Sequence, residues 1–406
     1  MKTKFLLRAA VIAVTAVLSF SAAQAEDKPL RIGLVLPMTG PFEYLGRQVY
    51  AGVKLYMEQH GDWVAGRKIE LLLRDDTGTA PETTKRYAQD LVTNDNAEVL
   101  AGFGLSPLAF AAAPVATQAK VPMVVMSAGA SAISEKSPYI IRSGYTLVQY
   151  VAPLALWAAK NGVKNVYTLV TDYAPGHDAE AMFSKVFTDN GGTIAGSVRV
   201  PLKSPDYGPY AQRIKDANPG AVFAFVPGSE APALMKQFQT RGLTEAGIKL
   251  ICVGDVTDED ILDGLGDAAV GTITSLFYTP ALAGVQGREK FTPENISFTN
   301  AFEKDNPGMR PDHMAVTGYD GMHLIYSVLE KTHGAAGGDA FVAAAKGMSW
   351  VSPRGPMSID PETRDPIQDV YIRKVERIGG HLYNVDFDRI ARVDNKGVPV
   401  AQAVGK

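Results

Sequence analysis

The sequence predicts an α/β protein of two lobes in tandem, each with a parallel central sheet covered by helices on both faces. Three observations carry this expectation. Short apolar runs alternate with amphipathic stretches, the alternation restarts near Tyr145, and 406 residues exceed what one hydrophobic core usually organises. Arg31-Ile-Gly-Leu-Val-Leu36 reads as a buried strand stopped by Pro37. Gln48 to His60 reads as a helix, with Val49, Val53, Tyr56 and Met57 on one face. A strand at Lys68 to Arg74, a helix at Ala80 to Asn94, a strand at Val99 to Phe103, a helix at Pro107 to Ala119 and a strand at Pro122 to Met126 continue the pattern. Strands regularly separated by helices imply parallel βαβ units.

Beyond Tyr145 the same grammar returns. A long helix runs through Trp157, a strand spans Asn165 to Val170, and a helix over Ala179 to Asn190 is closed by Gly191-Gly192, glycine being the usual residue just past a helix. Strands at Ser197 to Val200, Ala221 to Val226, Lys249 to Val253 and Gly271 to Tyr278 follow. What remains is too short for a third lobe. It holds helical stretches at Asp320 to Lys331 and near Asp339 to Lys346, the turn-rich Ser352-Pro-Arg-Gly-Pro356 and Asp360 to Pro366, and a strand-like Gln368 to Val375. The chain is therefore expected to cross back and forth: 28–145 plus 279–353 for the N-terminal lobe, 146–278 plus 354–406 for the C-terminal lobe, the latter closed by a hairpin.

Residues 1–25 have the three parts of a secretory signal peptide: Lys2, Lys4 and Arg8, then the apolar Ala9 to Phe20, then small residues with alanines at −3 and −1 of a cut after Ala25. The apolar run falls short of the ~20 residues that span a bilayer. No cysteine lies near the cut to take a lipid. The expected location is the periplasm. Removing the leader moves the net charge from −3 to −6, which offers no basic surface for nucleic acid. The single cysteine, Cys252, cannot form an internal disulfide and lies in an apolar run expected to be a buried strand.

Catalytic signatures are missing. The six histidines are scattered, with no metal-ligand spacing, and neither a Gly-x-Ser-x-Gly elbow nor a phosphate-binding loop occurs. Gly102-Phe-Gly104 lacks the third glycine of a dinucleotide fingerprint. The expectation is a protein that is not an enzyme and uses neither cofactor nor metal. Its informative residues lie in strand-to-helix turns, where open α/β sheets bind ligands and where helix N-termini favour a carboxylate. In the first half these turns are Thr39-Gly-Pro-Phe-Glu-Tyr44, Gly102-Phe-Gly-Leu-Ser106 and Ser127-Ala-Gly-Ala-Ser131. In the second they are Thr171-Asp-Tyr-Ala-Pro-Gly176, Pro227-Gly-Ser-Glu230 and Gly254-Asp-Val-Thr-Asp258. Tyr173 offers a ring and a hydroxyl, Glu230 a counter-charge for a ligand ammonium or first-turn complement to a helix dipole, and Asp255 and Asp258 further acids at the cleft. Phe42, Tyr44, Phe103 and Tyr145 are aromatic residues at or near these loops, each equally compatible with ordinary core.

Over nearly its whole mature length the chain resembles the periplasmic leucine/isoleucine/valine-binding proteins of ABC importers. The resemblance is carried by Ile32-Gly-Leu-Val-Leu-Pro-Met-Thr-Gly-Pro41, Gly66-Arg-Lys-Ile-Glu70, Arg74-Asp-Asp76, Val121-Pro-Met-Val-Val-Met-Ser127, Asp172-Tyr173, Met235-Lys-Gln237, Gly318-Tyr-Asp320 and Ser352-Pro-Arg-Gly-Pro356 in that order. It implies the type I periplasmic binding fold, with a multi-crossover hinge that closes on a small branched-chain or aliphatic amino acid. By position, Ser106, Gly129 and Ser131 would hold the carboxylate, and Tyr173 and Glu230 the ammonium. The implied partner is an ABC permease in the inner membrane, served by a monomer. Two departures stand out: Ser106-Pro107 replaces the family's run of serines, and Tyr44 is one place off the usual aromatic position. The stretch Ile359 to Tyr371 looks like a soil-bacterial subgroup, some of whose members take aromatic or other small carboxylates. A ligand-sensing module acting through a partner receptor is a further alternative on the same fold.

Overall fold

The computed structural model describes residues 28–203, 205–283, 285 and 287–400. The expected signal peptide lies outside them. The first lobe opens with β1 (Leu30–Leu36), α1 (Glu43–His60), β2 (Trp63–Val64), β3 (Arg67–Asp75), α2 (Pro81–Thr93), β4 (Val99–Gly102), α3 (Ser106–Ala119), β5 (Met123–Val125) and β6 (Ile140–Arg142). The sheet order is β2-β3-β1-β4-β5-β6, parallel except for the β2–β3 edge. All but one residue of β1 are buried, as a strand covered on both faces must be.

The second lobe holds α4 (Val148–Lys160), β7 (Asn165–Thr171), α5 (Ala174–Asp189), β8 (Thr193–Val200), α6 (Gly208–Ala217), β9 (Ala221–Phe225), α7 (Ala231–Thr240), β10 (Lys249–Val253), α8 (Glu259–Leu265) and β11 (Ile273–Leu276). Helices α9 (Pro293–Asp305), α10 (His313–Lys331) and α11 (Gly338–Ala345) follow. The chain then adds β12 (Ser349–Ser352), β13 (Gly355–Ile359), β14 (Pro366–Ile378) and β15 (His381–Val393). The second sheet runs β12-β13-β14-β11-β10-β9-β7-β8, with β15 on β14. Strands β7 to β11 pair in parallel, and β12 to β15 join antiparallel. This is the two-lobed type I periplasmic binding fold. Cys252 is fully buried in β10.

Helix α10 packs back along α1 in the first lobe. Glycines let the two come close: a Cβ on Gly52 would lie 1.9 Å from the Ala315 carbonyl oxygen, and one on Gly318 2.2 Å from that of Val49. Asp312 caps α10, its Oδ1 accepting from the backbone N–H of Met314 (2.8 Å) and Ala315 (3.1 Å). The helix therefore starts well before Asp320, where periodicity predicts it. Helix α9 was not anticipated. Its buried face mixes Phe298 and Phe302 with Asn295 and Thr299, which masks the apolar period. The Ser352–Pro356 stretch is the tight turn of the β12–β13 hairpin, so β12 pairs in the second sheet just N-terminal to the division expected at 353. The expected closing hairpin is β14–β15.

Buried Arg354 pins two of the chain crossings together. Its guanidinium pairs with Asp320 (2.8 Å) and donates to the carbonyls of Ser143 and Gly144. The lobes meet across the cleft through Arg47 on α1 and Asp260 on α8 (2.9 Å), and through Ser131 and Asp178.

Candidate functional site

In the first sheet the strand order reverses between β1 and β4, and in the second between β7 and β9. At such points neighbouring loops diverge to opposite faces and leave a crevice beyond the carboxyl ends of the strands. The two crevices face each other, and the residues between them line a narrow cavity of about 30 Å³. From the first lobe come Tyr44 and Leu45 on α1, Gly104 to Ser106 after β4, and Ser127 and Gly129 after β5. The crossing after β6 contributes Tyr145 and Leu147, and α10 contributes Met314. The second lobe adds Tyr173 and Pro175 after β7, Phe225 and Pro227 at the end of β9, and Asp255 after β10.

The first-lobe floor is shaped by a buried arginine. Arg142 donates to the carbonyls of Ala128 (2.8 Å), Ala130 (2.9 Å) and Tyr145 (2.6 Å) and pairs with Asp365 (2.9 Å). Those carbonyls are thereby turned away from the cavity. The Ser106 hydroxyl accepts from the Ala130 N–H (3.1 Å), and the Ser127 hydroxyl donates to the Gly104 carbonyl (2.9 Å). Helix α3 opens here at Ser106 without a side-chain cap, so its N-terminal pole meets the cavity. That pole carries partial positive charge and unpaired N–H groups, which suits an anion. Gly129 is needed for space: a Cβ there would sit 2.7 Å from the Tyr145 ring.

The walls are aromatic. Tyr173 stacks on Phe225 with ring centroids 5.9 Å apart, and Tyr145 packs against Phe277 at 5.0 Å. Tyr44 bridges the lobes, its hydroxyl accepting from the Gly228 N–H at 3.1 Å. Burial, reinforced by Asp255 and, for Tyr44 and Tyr145, by Asp258, raises the phenols of Tyr44, Tyr145 and Tyr173 well above the ordinary tyrosine range, so all three stay neutral. Asp255 is the acid in this lining, and its Oδ2 accepts from the Tyr150 hydroxyl at 3.1 Å. Behind it, His313 lies 2.9 Å from Asp258 and 3.8 Å from Asp255.

Of the residues singled out in the sequence, Ser106, Gly129, Tyr173, Tyr44, Tyr145 and Asp255 meet in this cavity. The others are elsewhere: Phe42 is buried in the core, and Asp258 stands behind Asp255 against His313. Phe103 has a left-handed backbone (φ 66°) and is fully buried, with Ala109, Ala112 and Ala128 in the core under α3. Ser131 gives both its N–H and its hydroxyl to Asp178 across the lobes, each at 2.9 Å. Glu230 is swung aside by the short helical turn Gly228–Glu230 and stands half-buried at the start of α7, close enough to Tyr207 to raise its phenol. Sequence reasoning missed Phe225, Leu147, Met314, Asp312 and His313. Phe225 has a weak signal, an aromatic at the last position of an apolar strand before a proline. The others carry none.

A profile of the periplasmic binding protein family matches residues 29–380. The chain belongs to that family. A Leu/Ile/Val-binding protein homolog of Brucella melitensis is 39% identical to this periplasmic binding protein over 391 residues, covering 95% of the chain and 98% of the relative. A solute-binding protein of an ABC transporter from Rhodopseudomonas palustris BisB5, solved with 3,4-dihydroxybenzoic acid, is 51% identical with a TM-score of 0.86, covering 91% of this chain and 99% of that one. A second, from R. palustris HaA2 with p-hydroxybenzoic acid, is 37% identical with the same TM-score of 0.86 and the same coverage, 91% and 99%. These relatives are solute-binding proteins, not enzymes, and this chain is an ABC transporter substrate-binding protein of the same kind. Membership implies a periplasmic location. Among the described residues no helix is long and apolar enough to cross a membrane.

Proposed function

We propose that this binding protein delivers a small aromatic carboxylate, hydroxylated on the ring, to an ABC permease of the inner membrane. The observation that carries the reading is the cavity lining: the rings of Tyr44, Tyr145, Tyr173 and Phe225 with Asp255 as their acidic member, and Glu230 outside it. The carboxylate lies at the N-terminus of α3 beside Ser106 and Gly129. The ring lies between Tyr145 and the Tyr173–Phe225 stack, and its hydroxyl donates to Asp255. A carboxylate end cannot face Asp255 without repulsion, which sets the direction of the molecule. Relatives solved with hydroxybenzoates support the same reading. The leader is removed after Ala25, the lobes divide as 28–145 with 279–353 and 146–278 with 354–406, and a monomer works by hinge closure, the second lobe adding Tyr173, Phe225 and Asp255 to a ligand already held by the first.

An aliphatic amino acid is the second reading. It is favoured by the Leu/Ile/Val-binding name of the Brucella relative and by Asp255 itself, a half-buried carboxylate able to receive an ammonium. A thermal-shift screen of the mature chain separates the two. Ligand at a hundred times its Kd adds about 2.7 kcal/mol of stability. Shifts with 4-hydroxybenzoate and 3,4-dihydroxybenzoate but not with leucine, isoleucine or valine are expected; the opposite pattern moves the assignment to amino acids.

A further inference from the structure

Behind the cavity, three side chains from both lobes converge in a way the ligand site does not use. Asp258 closes the loop after β10 in the second lobe, while Asp312 and His313 open α10 against the first. All three are at least 97% buried, and one ligand atom from each lies within 4.8 Å of the others. Their polar atoms are left over. Among the described residues, Asp258 Oδ1, Asp312 Oδ2 and both ring nitrogens of His313 make no hydrogen bond.

The spacing is informative. His313 Nδ1 and Asp258 Oδ1 are 2.9 Å apart, yet the oxygen is off the line along which the nitrogen would donate or accept. Two ligands held about 90–110° apart, each about 2.1 Å from one cation, stand about 3–3.4 Å apart and face the cation rather than each other. We propose that Asp258, Asp312 and His313 form a divalent transition-metal site, zinc or manganese, that clamps the two lobes beside the ligand cavity. One imidazole among carboxylates favours these cations over calcium and magnesium, which prefer oxygen alone. Asp255, 3.8 Å from His313 Nε2, makes this group a neighbour of the bound ligand.

The test uses tag-free mature protein, stripped with a chelator, dialysed against ZnCl2 or MnCl2, and assayed for metal by mass spectrometry. One equivalent per chain is expected, together with a rise in Tm. Asp258→Asn and Asp312→Asn are near-isosteric, and asparagine still caps α10. Each should weaken the metal by about a hundredfold or more, since even outer-shell partners cost 10–100-fold. Circular dichroism confirms folding, and if one variant fails to fold the other decides. Sub-stoichiometric metal on the wild type overturns the proposal, leaving His313 as a protonated imidazole shared among carboxylates. So does full retention by the variants, or loss only in His177→Gln, which removes an exposed imidazole beside Asp172. The outcome does not depend on which organic ligand fills the cavity.

Discussion

Replacing Asp255 with asparagine tests the direction in which the ligand lies. Asparagine keeps the shape of the side chain and an oxygen able to accept from the Tyr150 hydroxyl, now 3.1 Å away, so the loop after β10 should hold. What changes is the charge of the acceptor facing the cavity. A hydrogen bond to a charged group contributes about 1.5–3 kcal/mol and one to a neutral group about 1. The loss for 4-hydroxybenzoate is then about 0.5–2 kcal/mol, or roughly 2- to 30-fold in Kd. Benzoate has no hydroxyl to lose and should change by less than about threefold, a difference of under 0.7 kcal/mol. An amino acid whose ammonium met Asp255 would lose far more, because a buried charge left unpaired costs about 3–5 kcal/mol. Isothermal titration calorimetry of both benzoates against wild type and variant reads these differences directly. Equal weakening of the two would refute the argument that Asp255 reads the hydroxyl.

Gly129→Ala places a methyl 2.7 Å from the Tyr145 ring. The ring must move into the cavity, costing about 1–3 kcal/mol of overpacking, and ligand affinity should fall by roughly tenfold or more in calorimetry. Glu230→Ala should leave Kd within about twofold, a change of under 0.5 kcal/mol, since the side chain is outside the lining; a large loss would return that residue to the site. Asp365→Asn removes the partner of fully buried Arg142 and should destabilise by about 3–5 kcal/mol in urea melts. It should also weaken ligand, because the Arg142 guanidinium holds the Ala128, Ala130 and Tyr145 carbonyls.

Much of the fold was legible because its signals are local. Apolar runs such as Arg31–Leu36 and Lys249–Val253 became buried parallel strands, and the turns after them became the cleft. Element ends were less legible. Helix α1 begins at Glu43 and α5 at Ala174, each before the periodic stretch and neither with a side-chain cap, since a first turn can form on tertiary contact alone. The region after 279 was least legible. Helix α9 buries asparagine and threonine, and β12 and β13 are short and interrupted by prolines and glycine, so neither shows a clean period.

The site divides along the same line. Six of the residues singled out, among them Ser106 and Asp255, line the cavity because strand-to-helix turns at a sheet's carboxyl edge must converge. Phe103, Ser131 and Glu230 sit in turns of the same kind, yet a positive φ, a cross-lobe acid and a short helical turn aim them elsewhere. The alternation of apolar and amphipathic stretches, a property of neighbouring residues, by itself determined the two-lobed α/β architecture and the turns in which a ligand would be held. Which side chains face the ligand, and that Asp258 meets His313 across the lobes, only the tertiary structure decided. Those contacts depend on how the lobes pack, and no spacing along the chain encodes a distance across them.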